Sequence, residues 1–142
     1  MKFNKLIPEL SVSNFEKSLD FYTKIIGFKL EYQREESMFA FLSLNGSQLM
    51  IEQDKNSKSS WFTKKPKYPR GRGIHFQFEV KNITPILDKL NKKNYPIKEA
   101  PKEYWFRKNK LLVGIKGFLV MDPDGYLLMF NETIGTKKLY KK

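Results

Sequence analysis

The sequence predicts an α+β fold made of two tandem βαβββ modules, and three observations predict it. The first is an internal repeat: Val12, Asn14, Leu19 and Asp20 recur as Val80, Asn82, Leu87 and Asp88, each 68 residues on, with apolar Phe15 matched by Ile83. The second is that each half opens with alternating apolar and polar residues and passes, through an asparagine, into an apolar stripe at helical spacing. The third is that β-type segments then flank Asn45-Gly46 and Asp124-Gly125, dipeptides suited to hairpin turns. Two such modules side by side are expected to form curved sheets around a cleft, with helices outside, and such clefts suit small molecules.

The first strand is expected over Leu6 to Val12. Asn14 is placed to cap a helix, whose stripe is Phe15, Leu19, Tyr22 and Ile26 and whose end is Gly27. Strands are then expected at about Phe28–Arg34, Met38–Leu44 and Gln48–Gln53. The second module repeats this order. Its first strand is Ile74 to Val80, with Ile74, Phe76, Phe78 and Val80 on one face. Asn82 caps a helix carrying Ile83, Ile86, Leu87 and Leu90, which tolerates Pro85 in its first turn and ends near Asn94. Strands at about Ile97–Ala100, Leu112–Met121 and Tyr126–Asn131 complete it.

The whole is read as one domain, with module 1 at about 1–53, a polar connection at 54–71, module 2 at about 72–132 and a mobile basic tail at 133–142. Two loops stand out for their aromatics. Trp61 and Phe62 lie in the connection, and Tyr104, Trp105 and Phe106 lie in an irregular stretch, Lys102–Lys110. Large aromatics are costly to leave in water, so these are expected to cover the core, a ligand or a second subunit. Arg72 and Arg107 flank the two loops and read first as solvent-facing.

The 142 residues suffice for a core without staples. There are no cysteines, which excludes disulfides, thiolate metal sites and a cysteine nucleophile. No apolar run approaches the roughly 20 residues of a membrane span. Met1 to Leu6 carries two lysines without an apolar stretch, so no signal peptide and a cytoplasmic location are expected. The formal charge of +12 raises nucleic-acid binding. Against it, arginine, the preferred phosphate and guanine reader, occurs only at Arg34, Arg70, Arg72 and Arg107, and the lysines are scattered.

With the repeat in place, Ser18-Leu-Asp-Phe-Tyr22 through Gly27-Phe28, Ile74-His75-Phe76 and Asp122-Pro-Asp-Gly-Tyr126 resemble the vicinal oxygen chelate superfamily, over about residues 6 to 132. This superfamily comprises glyoxalases, extradiol dioxygenases, fosfomycin-resistance enzymes and bleomycin-resistance proteins. The resemblance implies the glyoxalase/bleomycin-resistance fold. It also implies four metal-ligand positions, carried here by Ile7, Glu52, His75 and Met129. Isoleucine has no donor atom, and a thioether suits the hard or borderline divalent ions of such enzymes poorly. His75 is the sole histidine. Its plain reading is a sheet residue hydrogen-bonded to a neighbour such as Glu52, and no cofactor is expected.

An incomplete ligand set points, within the resemblance, to the bleomycin-resistance branch, whose members sequester the drug without chemistry. Ile7-Pro8-Glu9-Leu10 resembles the start of those proteins, which implies a homodimer with an exchanged N-terminal strand and grooves at its interface. Met38-Phe39-Ala40 resembles a groove strand of that branch with an aromatic facing the ligand, which makes Phe39 the leading ligand residue. The expected ligand-binding set is therefore Phe39, Phe41, Glu52, Trp61, Phe62, His75, Tyr104, Trp105, Phe106 and Arg107. The alternative is a metal-dependent lyase, thiol transferase or dioxygenase of the same superfamily. Bleomycin is cationic and the family's binders tend to be acidic, whereas this chain is basic, a charge that favours anionic or neutral aromatic ligands.

Overall fold

The computed structural model describes residues 1–54 and 61–139; residues 55–60 of the expected connection and 140–142 of the expected tail lie outside the described residues. The chain divides into two compact units, 1–74 with 122–126, and 75–121 with 127–142. Each unit carries one four-stranded mixed sheet; among the described residues the first adds one helix that runs into a π turn, together with a 3-10 turn at Glu35–Ser37, and the second adds one α-helix.

In the first unit the order is β1 (Glu9–Val12), α1 (Phe15–Asp20), β2 (Lys29–Arg34), β3 (Phe39–Leu44) and β4 (Ser47–Gln53). The sheet runs β1-β4-β3-β2, with β1 parallel to β4 and the other pairs antiparallel. Asn14 caps α1 as expected, its side chain accepting from the Lys17 amide at 3.1 Å. The helix does not stay α, however. Phe21–Ile26 is a π turn, with the Gly27 and Phe28 amides both donating to Tyr22 O. The wider turn shifts the buried stripe, so Ser18, Phe21 and Tyr22 face inward beside Phe15 and Ile26. Gly27, at φ +103, ends it in the left-handed conformation that glycine adopts most readily. Asn45 and Gly46 both have positive φ, as a type I′ hairpin requires.

Strand alternation gives this sheet two faces. Leu10, Val12, Ala40, Leu42, Leu49 and Ile51 are buried on one, the side on which α1 packs over β4. Ser11, Glu52, Met50, Phe39 and Phe41 lie on the other, with Ser11 opposite Glu52 and Glu52 opposite Phe39.

The second unit runs β5 (His75–Glu79), α2 (Thr84–Lys92), β6 (Glu99–Lys108), β7 (Leu111–Met121) and β8 (Leu127–Lys138), in sheet order β5-β8-β7-β6. Asn82 accepts from the Thr84 amide at 2.9 Å, and Glu132 accepts from the Ile83 amide. Pro85 sits in the first turn and Asn94, at φ +51, follows the helix end. Ile83, Ile86 and Leu90 are buried with Phe78, Phe118, Val120, Leu128 and Phe130, the core of this unit.

Two expectations are corrected here. Lys102–Lys108 is strand, not loop, and the supposed tail is the outer half of β8 as far as Lys138. Both segments are charged, and pairing decides them: Trp105 opposes Gly114, which in turn opposes Gly135. A β-carbon on Gly114 would lie 2.5 Å from the Trp105 ring, so the indole lies flat over the glycine backbone. The Lys137 ammonium sits 3.8 Å from the centre of that ring, a cation–π contact joining β8 to β6. Pro101 falls at a register shift in β6, an edge strand, where a missing amide is tolerated.

Candidate functional site

The first unit holds a cavity of about 650 Å³ built from one end of β1, Tyr126 and residues between Trp61 and Arg72. Glu9 and Ser11 form its strand wall; Trp61, Phe62 and Tyr126 supply aromatic surface; Lys64, Lys65, Lys67 and Arg72 supply charge. A smaller recess beside it is bounded by Glu9, Ser11, Glu52, Asp54, Trp61 and Phe62, which brings Glu52 into the same neighbourhood.

Arg70 is the strut of this region. Its Nη1 donates to Ser11 O and Asp54 Oδ1, both at 2.9 Å, and its Nη2 donates to Asp54 Oδ2 at 2.6 Å. This fork geometry is the strong form of an arginine–carboxylate pair. The Asp54 carboxylate beside it raises the Arg70 pKa further. Asp124 lies 3.9 Å from Arg70 Nε and also accepts from the amide and hydroxyl of Ser13. Tyr126 Oη donates to Ser11 O at 3.0 Å, and burial raises its pKa. The Asp-Pro-Asp-Gly-Tyr run thus anchors the cavity wall to the first strand. Gly125 has no room for a side chain, since a β-carbon would sit 2.6 Å from Pro69 Cα.

Arg72 differs from Arg70. Its Nε donates to Pro69 O at 3.2 Å and its Nη2 to Tyr68 O at 2.9 Å, so two backbone carbonyls orient it without neutralising it. Among the described residues, Lys64, Lys65, Lys67 and Arg72 form no ion pair.

The expected ligand residues fall into separate groups. In the first unit, Phe39 and Phe41 share a sheet face with Glu52, but the chain itself covers them. The Arg34 guanidinium stacks 3.9 Å from the Phe39 ring centre, Tyr32 stacks on Phe41 at 5.2 Å, and Phe3 meets Phe41 edge-on at 5.3 Å. Both phenylalanines are buried. Asn4 and Lys2 tie the Phe3 segment to the Gly46–Gln48 turn through three hydrogen bonds. Trp61, by contrast, is 69% exposed at the cavity.

In the second unit, His75 is on edge strand β5, exposed, with Gln77 Nε2 3.0 Å from its Nε2. An amide nitrogen can only donate, so that ring nitrogen accepts. Tyr104 and Phe106 share His75's sheet face, as parallel rings 6.0 Å apart, but on the opposite edge strand. His75 aligns through Leu127 with Met121, whereas Tyr104 aligns with Ile115, six residues or roughly 20 Å farther along β7. Trp105 and Arg107 point to the other face. His75 and these aromatics therefore form no common site within their sheet.

Met129 opposes Gln77, the repeat counterpart of Glu9, and Glu9 opposes Met50. The module 1 equivalent of Met129 is therefore Met50, while Glu52 matches Asn131. Of the expected positions Ile7, Glu52, His75 and Met129, only Glu52 and His75 carry a donor suited to a hard or borderline divalent ion. Among the described residues no group of three His, Cys, Asp or Glu side chains could hold a metal, and no helix is long and apolar enough to cross a membrane.

The fold defines a two-module βαβββ protein, and the comparisons agree. The family model for the Glyoxalase/Bleomycin resistance protein/Dioxygenase superfamily matches residues 6–130, so the chain belongs to that superfamily. A virulence protein from Salmonella typhimurium is similar in structure, with TM-score 0.63 and 19% identity over 94% of this chain and 100% of that one. A protein of the mobile metagenome of V. Pseudocholerae has TM-score 0.62 and 20% identity, over 93% and 96%. A glyoxalase/bleomycin resistance protein/dioxygenase from Alicyclobacillus acidocaldarius has TM-score 0.61 and 19% identity, over 92% of each. These likenesses concern the fold. Among curated proteins none matches the chain.

Sequence reasoning passed over Arg72 and the three lysines as cavity residues. The available signal was density: five cations fall within Lys64–Arg72, between the aromatics Trp61-Phe62 and the second module.

Proposed function

We propose that this protein is a non-catalytic small-molecule binder that sequesters an aromatic compound in the cavity beside β1. The observation that carries the reading is a 650 Å³ cavity bordered by Trp61, Phe62 and Tyr126, within the roughly 300–1,000 Å³ typical of small-molecule sites. Rigid aromatic faces offer large contact area at little entropic cost. Of the expected metal positions Ile7, Glu52, His75 and Met129, only Glu52 and His75 carry suitable donors, which supports binding over metal chemistry. The reading includes a homodimer in the manner of the bleomycin-resistance branch, a point that sedimentation equilibrium checks independently.

Calorimetric titration of chelator-treated protein with a panel of aromatic compounds, including metal-free and copper-loaded bleomycin, tests it. The expected result is saturation at one molecule per chain with no chemical change in the ligand. Stoichiometric divalent metal retained through purification and lost in His75→Ala, with metal-dependent turnover, would overturn it in favour of the enzyme alternative.

A further inference from the structure

Resting on that reading, we propose that the cavity beside β1 selects an aromatic anion, a planar ring bearing a carboxylate or phosphate, and that Arg72 is the anchor for the acid group. Charge accounting carries the inference. Of the two arginines at the cavity, Arg70 is spent: both its amino groups are held by Asp54 and by Ser11 O. Arg72 is oriented by the Tyr68 and Pro69 carbonyls through Nε and Nη2, and its Nη1 makes no hydrogen bond among the described residues. A guanidinium pinned by neutral carbonyls keeps its full charge and has little rotamer freedom left to lose when an oxyanion arrives.

Lys64, Lys65 and Lys67 line the same cavity without ion pairs among the described residues, and the wall offers Glu9 as its acid outside the Asp54–Arg70 pair. The lining therefore has a net positive charge. It repels a cationic ligand and attracts an anion. Trp61 and Phe62 lie directly before the cationic run in sequence and Tyr126 lines the same cavity, so the ring and the acid group of one ligand have partners within one cavity. A carboxylate and a phosphate share this chemistry, and only the phosphate presents a second negative charge to the lysines.

Four naphthalenes with one ring and different head groups test it by calorimetry on the full chain: 1-naphthoate, 1-naphthyl phosphate, 1-naphthol and 1-naphthylmethylammonium. The two anions are expected to bind about 10-fold or more tighter than naphthol, and the ammonium weakest. A tighter phosphate than carboxylate assigns the natural head group to phosphate, and the reverse to carboxylate. Arg72→Gln should abolish most of the preference. Because Arg72 also braces its loop, the combined Lys64→Gln, Lys65→Gln, Lys67→Gln variant provides a second arm, its side chains having no ion pair to lose among the described residues. Lys89→Gln on α2 should change nothing. Equal binding of all four compounds overturns the anion assignment and leaves the aromatic seat standing. Binding of none overturns both.

Discussion

The Tyr22 hydroxyl donates to Asp122 Oδ2 at 2.7 Å, joining residues 100 apart in sequence. Both are buried. The other carboxylate oxygen, Oδ1, accepts from the Asp124 and Tyr126 amides, both at 2.9 Å. One carboxylate thus ties the π turn after α1 to the loop that carries Asp124 and Tyr126, the two residues that reach back to Ser13, Arg70 and Ser11. The cavity wall at Tyr126 therefore depends on the carboxylate that Tyr22 holds.

Tyr22→Phe should therefore destabilise the protein by about 1–3 kcal/mol, because a buried carboxylate loses a donor while its remaining partners stay in place. Urea unfolding at pH 7 measures this. A loss below a few tenths of a kcal/mol would show that Asp122 finds another donor.

Burial raises the pKa of Asp122 to about 6 from an ordinary 3.8, with the Tyr22 hydroxyl and two amides acting in the opposite direction. The folded state then holds a proton that the unfolded state releases between about pH 4 and pH 6. The contribution of this residue to stability accordingly falls as pH rises through that window, by roughly 3 kcal/mol in total. Asp122→Asn removes the titration. The stability difference between the variant and the parent, followed from pH 4 to pH 7, should move in favour of the asparagine and level off above about pH 6.

Arg70→Ala leaves Asp54 and Asp124 without their cation and Ser11 O with one side-chain donor fewer, the Tyr126 hydroxyl remaining. The expected cost is about 2–4 kcal/mol, tempered by the partial exposure of Asp54. Arg72→Gln, which breaks only two bonds to exposed backbone, should cost less than about 1 kcal/mol. The contrast between two arginines two residues apart separates strut from anchor, and thermal unfolding of the pair reads it.

Gly125 and Gly27 offer a matched comparison, since both have positive φ. A methyl on Gly27 meets nothing within 4 Å, so Gly27→Ala should cost only about 1 kcal/mol of backbone strain. Gly125→Ala adds a clash with the Pro69 backbone and should cost at least about 2 kcal/mol more. Equal melting temperatures for the two would show that the loop around Pro69 yields.

The chain has two tryptophans. Trp61 stands 69% exposed at the cavity, and Trp105 lies flat on Gly114 in the second unit. Quenching by a bound naphthalene should therefore vanish in Trp61→Phe and persist in Trp105→Phe. Persistence in the first variant would move the ligand away from the cavity beside β1.

The repeat, the strand-helix order, the Asn14 cap, the Gly27 stop and the Asn45-Gly46 hairpin were legible in the chain, because each depends on a residue acting on its immediate neighbours. So was the superfamily, through motifs whose order follows from that repeat. The extent of β6 and β8 was not. Their lysines and glycines have poor strand propensity, and only the stacking of Trp105 over Gly114 and under Lys137 makes strand the favoured state there. The candidate site divides in the same way. Local sequence marked Trp61 and Phe62 as aromatics too costly for a plain linker. That Phe39 and Phe41 lie under Arg34, Tyr32 and Phe3, and that Arg70 is neutralised while Arg72 is not, were decided by tertiary structure alone. Which partner neutralises a charge, and which side chain covers a ring, are set by residues brought together across the sheet, and no local pattern in the chain records them.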